Sequence, residues 1–80
     1  MDLLLAVKEF CDKLIEYNFY PKRKKPSFGK IEKMADYCIR GKFQKLERLI
    51  PSNATEEQVL ELKTLMDKIK EVVYNETNNE

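Results

Sequence analysis

The residues best suited to chemistry are cations that follow the first predicted helix. The candidate set for contacting an anionic partner is Tyr20, Lys22, Arg23, Lys24, Lys25, Lys30 and Lys33. Such cations neutralise phosphates, and the neighbouring rings of Phe19, Tyr20 and Phe28 are surfaces on which unpaired bases could stack. Short basic runs are also typical of solvated loops, and as motifs they are weak. Both interpretations therefore stay open at this stage.

The net charge of +1 conceals an uneven distribution along the 80 residues. Residues 20–50 carry ten Lys or Arg against three Asp or Glu, which is +7, whereas residues 1–19 carry −2 and residues 51–80 carry −4. This polarity favours an anionic partner, or a second copy docked head against tail. Lys outnumbers Arg by twelve to three, which disfavours base-specific recognition, where arginine makes the commonest contact.

Catalysis and metal binding find little support in the composition. The chain has no His, which is the usual proton shuttle at neutral pH, and Cys11 and Cys38 are too far apart to form a CxxC pair. Each cysteine falls on the apolar face of a predicted helix, so we expect two buried free thiols without function. We predict a protein that is not an enzyme and that has no cofactor, no metal and no small-molecule substrate.

Helical spacing of apolar residues predicts an all-α fold, a small bundle of four helices at about 2–18, 28–40, 42–50 and 56–74. Thr55 and Gln58 form a capping box that starts the last helix, and Ser27 is a suitable cap for the second. Gly41 is expected to end the second helix. The alternative is three helices, because one glycine inside a continuous helix costs only about 1 kcal/mol.

The apolar stripe of the second predicted helix consists of Phe28, Ile31, Met34, Ala35, Cys38 and Ile39. After Gly41, a common polar face presents Gln44, Lys45 and Arg48, as a DNA-reading helix could. We disfavour a helix-turn-helix, because the turn would consist of Gly41 alone rather than three or four residues.

We expect one helical domain over residues 1–75, with a basic, proline-flanked loop at 19–27 and a disordered tail at 76–80. The apolar run near the start is too short for a signal peptide, and none approaches the roughly 20 residues that cross a bilayer. Two cysteines fit a reducing compartment. We therefore predict a cytoplasmic protein that does not associate with membranes.

The first and last helices have wide apolar arcs, more than the two short middle helices can cover. We therefore expect a homodimer, with the candidate interface residues Leu4, Leu5, Leu60, Leu65 and Val72. The predicted function is that of a small regulator acting by protein–protein interaction. Its Lys- and Asn-rich composition is typical of AT-rich genomes and suggests a phage or mobile-element protein that inhibits a host protein. The alternative is a sequence-unspecific nucleic-acid-binding protein that uses residues 20–50.

Overall fold

The computed structural model describes residues 2–20 and 27–78. In these residues the chain forms four helices, α1 (Asp2–Glu16), α2 (Phe28–Ile39), α3 (Gln44–Glu47) and α4 (Glu56–Asn78), and no strand. The prediction of a small all-α bundle is confirmed.

The two predicted caps at helix N-termini are both present. The Gln58 amide donates to Thr55 Oγ1 (3.1 Å) while the Thr55 amide donates to Gln58 Oε1 (3.0 Å), which is the reciprocal pattern of a capping box. Ser27 Oγ accepts from the Lys30 amide at 3.3 Å. Side-chain oxygens thus satisfy amides that the first turn leaves without helical partners, and this fixes where α2 and α4 begin.

Gly41 ends α2. Its φ of 77° is left-handed, and the Lys42 amide reaches back to the Tyr37 carbonyl (2.8 Å) while the Gly41 amide donates to the Cys38 carbonyl (3.0 Å). This pair of bonds defines a Schellman motif, in which the residue after the cap is left-handed. The chain therefore breaks at Gly41, and the alternative of one continuous helix is wrong.

The same motif ends α1 at Asn18, whose φ is 63°. The Phe19 amide donates to the Leu14 carbonyl (2.8 Å) and the Asn18 amide to the Ile15 carbonyl (3.0 Å). Asparagine enters the left-handed region more readily than most residues do. The first helix consequently stops at Glu16, two residues before the predicted end.

Two other predicted boundaries need correction. The third helix was expected over 42–50 but spans only Gln44–Glu47, because the Leu49 and Ile50 amides bond to carbonyls three residues back, as in a tight turn. Four residues are too few for a DNA-reading helix. At the other end, α4 continues to Asn78, so residues 76–78 of the expected disordered tail are helical, and residues 79–80 lie outside the described part.

One apolar core joins the helices. Helices α1 and α4 run antiparallel, because Glu9 pairs with Lys68 while Lys13 pairs with Glu61. The buried residues are Leu3, Ala6, Val7, Phe10, Cys11, Leu14, Ile31, Met34, Ala35, Cys38, Leu46, Leu62, Met66 and Ile69. Burial of Cys11 and Cys38 as free thiols is confirmed. Among the described helices, none is both long enough and apolar enough to cross a membrane.

Two residues of the predicted α2 stripe are not in the core. Phe28 is 65% exposed and Ile39 is 53% exposed. Being eleven positions apart, they lie on nearly the same line along the helix, at the solvent edge of the stripe and beside exposed Glu32. The other four residues of the stripe, Ile31, Met34, Ala35 and Cys38, are buried. The stripe predicted from spacing is therefore wider than the face that packs.

Candidate functional site

A groove lies between α2 and the segment that follows Gly41. Its volume is about 260 Å³, and its lining residues are Lys30, Lys33, Met34, Tyr37, Lys45, Leu46 and Leu49. We call this site the basic groove. Met34 and Leu46 are buried, Leu49 is half-buried and the three lysines are exposed. The groove thus has an apolar floor and a cationic rim.

Helical spacing and one turn build the basic groove. Positions 30, 33, 34 and 37 of α2 are separated by three or four residues, so their side chains share one face. The turn at Gly41 reverses the chain and brings residues 45–49 alongside that face. Leu46, which has no exposed surface, anchors the returning segment in the core. The lysine at position 45 therefore reaches the same site as those of α2.

Two of the lysines are held by aromatic rings. Lys30 Nζ donates to the Tyr20 hydroxyl at 2.8 Å and lies 5.4 Å from the centre of its ring. This hydrogen bond is the main reason that the pKa of Lys30 is raised, and Lys30 is fully charged at neutral pH. Lys45 Nζ lies 5.5 Å from the centre of the Tyr37 ring, within the range of a cation–π interaction.

Among the side chains that the structure describes, which are those of residues 3–20 and 27–75, no carboxylate forms an ion pair with Lys30, Lys33 or Lys45. The acidic side chain of α2 that does form one, Asp36, binds Arg40 at 3.2 Å. Three positive charges therefore surround an apolar floor without a described counter-charge. A binding partner that supplies carboxylates would complement them.

The structure brings together part of the predicted anion-binding set. Tyr20 contacts Lys30, and Lys33 lies one turn further along the same face of α2. Lys22, Arg23, Lys24 and Lys25 lie outside the described residues. Phe28, expected as a stacking ring, is on the opposite side of α2 from Lys30, because two helical positions separate them. Basic and aromatic side chains of α2 thus do not form one continuous surface.

The apolar half of the basic groove was not predicted from the sequence. Met34 was expected only as part of the apolar stripe of α2, and Lys45 only as part of a polar face. The available signal was the spacing of Lys30, Lys33 and Tyr37, which places a ring and two cations on one line of α2. The second wall could not be inferred without the direction of the chain after Gly41.

The five candidate interface residues do not form one face. Leu5 and Val72 line a smaller cavity of about 180 Å³ between α1 and α4, together with Ala6, Glu9 and Lys68. Leu4 and Leu65 are half-buried and pack against the core. Leu60 is 68% exposed and lies apart from the cavity.

A polar cluster joins α1 to α4 at the opposite end from Leu5. The Tyr17 hydroxyl donates to Glu61 Oε2 at 2.6 Å, and Lys13 Nζ lies 2.8 Å from Glu61 Oε1. These contacts lower the pKa of Glu61, Lys13 being the larger cause, and the hydrogen bond to Glu61 raises the pKa values of Lys13 and Tyr17. All three pKa values move away from neutrality, so the cluster is suited to holding the helices together rather than to exchanging protons.

The thiols lack the surroundings of reactive cysteines. Burial is the main cause that raises the pKa of both Cys11 and Cys38 to about 11, which disfavours the nucleophilic thiolate. Cys11 Sγ lies 3.6 Å from Met34 Sδ, in the core beneath the basic groove. Within the described ranges, no cluster of three or more potential ligands is arranged to hold a metal ion.

The chain has no significant match among protein-family models, curated proteins or solved structures.

Proposed function

We propose that this protein is a non-enzymatic binding module that recognises an acidic segment of a partner protein in the basic groove. The observation that carries the proposal is the combination of three lysines that pair with no described carboxylate and an apolar floor of Met34, Leu46 and Leu49. Carboxylates of the partner would face the lysines, and one apolar side chain would reach the floor. Binding of this kind acts through occupancy, as in an adaptor or an inhibitor.

The size of the groove supports a side chain as the anchor. At about 260 Å³ it is below the usual range of about 300–1,000 Å³ for sites that hold small molecules or cofactors. Helices docked in grooves insert apolar anchor residues at helical spacing, and a groove of this size accommodates one such anchor. A short amphipathic helix with one apolar anchor fits these dimensions and this charge.

The same features argue against nucleic acid as the main partner. An apolar floor gives no contact to phosphate, and Lys30 and Lys45 already cover the rings of Tyr20 and Tyr37. Stacked bases need open ring faces beside the cations. The predominance of lysine further disfavours base-specific contacts.

The proposed biological role is that of a cytoplasmic regulator. More specifically, we propose a phage or mobile-element protein that inhibits a host protein. Two free buried thiols are consistent with a reducing compartment. An inhibitor of this type would occupy an acidic surface that the host protein needs for its own basic partner.

The test uses a fluorescently labelled, alanine-based helical peptide with one leucine between glutamates on one face. We expect the full chain to bind it with an affinity that decreases with salt, and to ignore a peptide in which lysines replace the glutamates. Lys33→Glu should weaken binding, whereas the matched change Lys63→Glu, on α4 and away from the groove, should not. A charge pair about 7 Å apart in water contributes about 0.6 kcal/mol and reversal doubles this, so we expect about a tenfold loss.

A labelled random-sequence oligonucleotide distinguishes the alternative function. If it binds tightly with a steep salt dependence, and if changing Lys22, Arg23, Lys24 and Lys25 to Gln abolishes that binding, the protein is a nucleic-acid binder and the proposal is wrong. Equal peptide binding by Lys33→Glu and wild type would also contradict it.

A further inference from the structure

The outer face of α4 carries a second exposed feature of opposite sign to the basic groove. Leu60 is 68% exposed, and the exposed carboxylates Glu56 and Glu57 lie one helical turn before it. We call these three residues the acidic ridge. Neither Glu56 nor Glu57 has an ion-pair partner among the described residues. Both carboxylates precede Leu60, and the residue one turn after it is exposed Lys63. An apolar side chain that follows two carboxylates by one helical turn is the kind of segment that the basic groove would accept.

The acidic ridge cannot reach the basic groove of its own molecule. Leu62 is fully buried, so its side chain points into the core. Residues two positions apart in a helix point in nearly opposite directions, and Leu60 therefore projects away from the core. The groove is formed by α2 and residues 45–49, and those elements pack on the inner side of α4 through the core. The two complementary surfaces can therefore meet only between two molecules.

We infer that the acidic ridge of one copy docks into the basic groove of a second copy, with Leu60 at the apolar floor and Glu56 and Glu57 facing the lysine rim. This inference rests on the proposed function of the groove and names one occupant. Charge complementarity supports this docking: each copy has three lysines on one surface and two carboxylates on another, and no described side chain forms an ion pair with either set. A contact between different surfaces is heterologous, so it forms a closed ring or a reciprocal pair, or extends as a chain.

Self-association through these surfaces would regulate the proposed function. A groove that holds Leu60 of another copy is closed to the acidic segment of a different protein. Partner binding would then compete with self-association, and the fraction of open grooves would fall as the concentration of the protein rises.

Sedimentation velocity of the full chain from micromolar to millimolar concentration tests the inference. We expect an average mass that increases with concentration and decreases with salt. Leu60→Asp, and separately the double variant Lys33→Glu with Lys45→Glu, should each weaken association by about tenfold or more, as expected for an anchor and its rim. Leu5→Asp is the matched control, because Leu5 is similarly exposed, at 58%, but lies on the α1–α4 cavity.

Mixing the two variants gives a second test, because misfolded variants would not form the expected complex. Leu60→Asp keeps its groove and the double lysine variant keeps its ridge, so the two together should form a 1:1 complex although each alone is monomeric. Circular dichroism should show wild-type helicity for both.

Three outcomes would overturn the inference: a monomeric wild type at millimolar concentration, loss of association in Leu5→Asp but not in Leu60→Asp, or no complex in the mixture. If the synthetic peptide still binds wild type in a manner sensitive to Lys33→Glu, the proposed function stands and only the second copy as occupant is refuted. If the peptide fails as well, both are wrong.

Discussion

Replacing Gly41 with alanine tests how the sequence separates α2 from α3. The residue has a φ of 77°, and a Cβ added there would meet no described atom within 4 Å. Any loss of stability must therefore come from backbone conformation rather than from a clash. A left-handed conformation costs a residue with a Cβ about 1–2 kcal/mol. Alanine also lowers the conformational entropy of the unfolded chain, which offsets about 0.4–1 kcal/mol of this cost.

We expect Gly41→Ala to lower the free energy of unfolding by about 1 kcal/mol. With a urea dependence of about 1 kcal/mol per molar for a small domain, the midpoint should decrease by about 1 M. Gly29→Ala is the matched control. Gly29 is inside α2, and its added Cβ would make only ordinary contact with Ser27 Oγ at 3.9 Å. That change should raise stability by about 0.4–1 kcal/mol.

A third variant connects the result to the end of α1. Asn18 holds the same left-handed position in the other Schellman motif, with a φ of 63°. Gly41→Asn should therefore lose less stability than Gly41→Ala does. Urea unfolding followed by circular dichroism at 222 nm measures all three variants. A Gly41→Ala protein that is as stable as wild type and more helical would refute the reasoning, because α2 and α3 would then join into one helix at no cost.

Two further predictions concern the core and the polar cluster. Cys38→Ala should lower the free energy of unfolding by about 1–3 kcal/mol without affecting peptide binding. A thiol reagent should label the native protein far more slowly than the protein unfolded in urea, and equal labelling rates would contradict burial. Glu61→Gln should lower stability at neutral pH. Because the folded state lowers the pKa of Glu61, its contribution is present above the ordinary glutamate range and disappears as pH falls through the folded value. The urea midpoints of Glu61→Gln and wild type should therefore converge as the pH falls below the ordinary glutamate range, and a difference that does not change with pH would exclude the electrostatic cause.

The helices were largely predictable because their signals are local. Ser27, Gly41 and the pair Thr55 and Gln58 act on amides or carbonyls within a few residues, so their sequence positions fix the boundaries of α2 and the start of α4. The predicted end of α1 was two residues late because Asn18 was not interpreted as a left-handed cap. Asparagine serves this role less often than glycine does, so the signal is weaker.

The contents of the core were less predictable than the helices. Spacing shows which residues share a face, but not how much of that face another element covers. Phe28 and Ile39 share the stripe of Met34 and Cys38, yet they remain exposed because burial is confined to one side of the stripe. The error has a physical origin: a short helix in a small domain contacts few neighbours, so its outer apolar positions stay in water.

The charges of the candidate site could be counted from the sequence but not assigned to partners. Lys13 and Lys68 form ion pairs with Glu61 and Glu9 across the α1–α4 contact, at sequence separations of 48 and 59 residues. No local pattern distinguishes these lysines from Lys33, which pairs with no described carboxylate. Only the antiparallel packing of α1 and α4 decides which of these charges form ion pairs within the molecule. Three of the lysines that this packing leaves without an ion pair, Lys30, Lys33 and Lys45, line the basic groove. The preference for a partner of opposite charge therefore follows from the fold, and the composition alone does not show it.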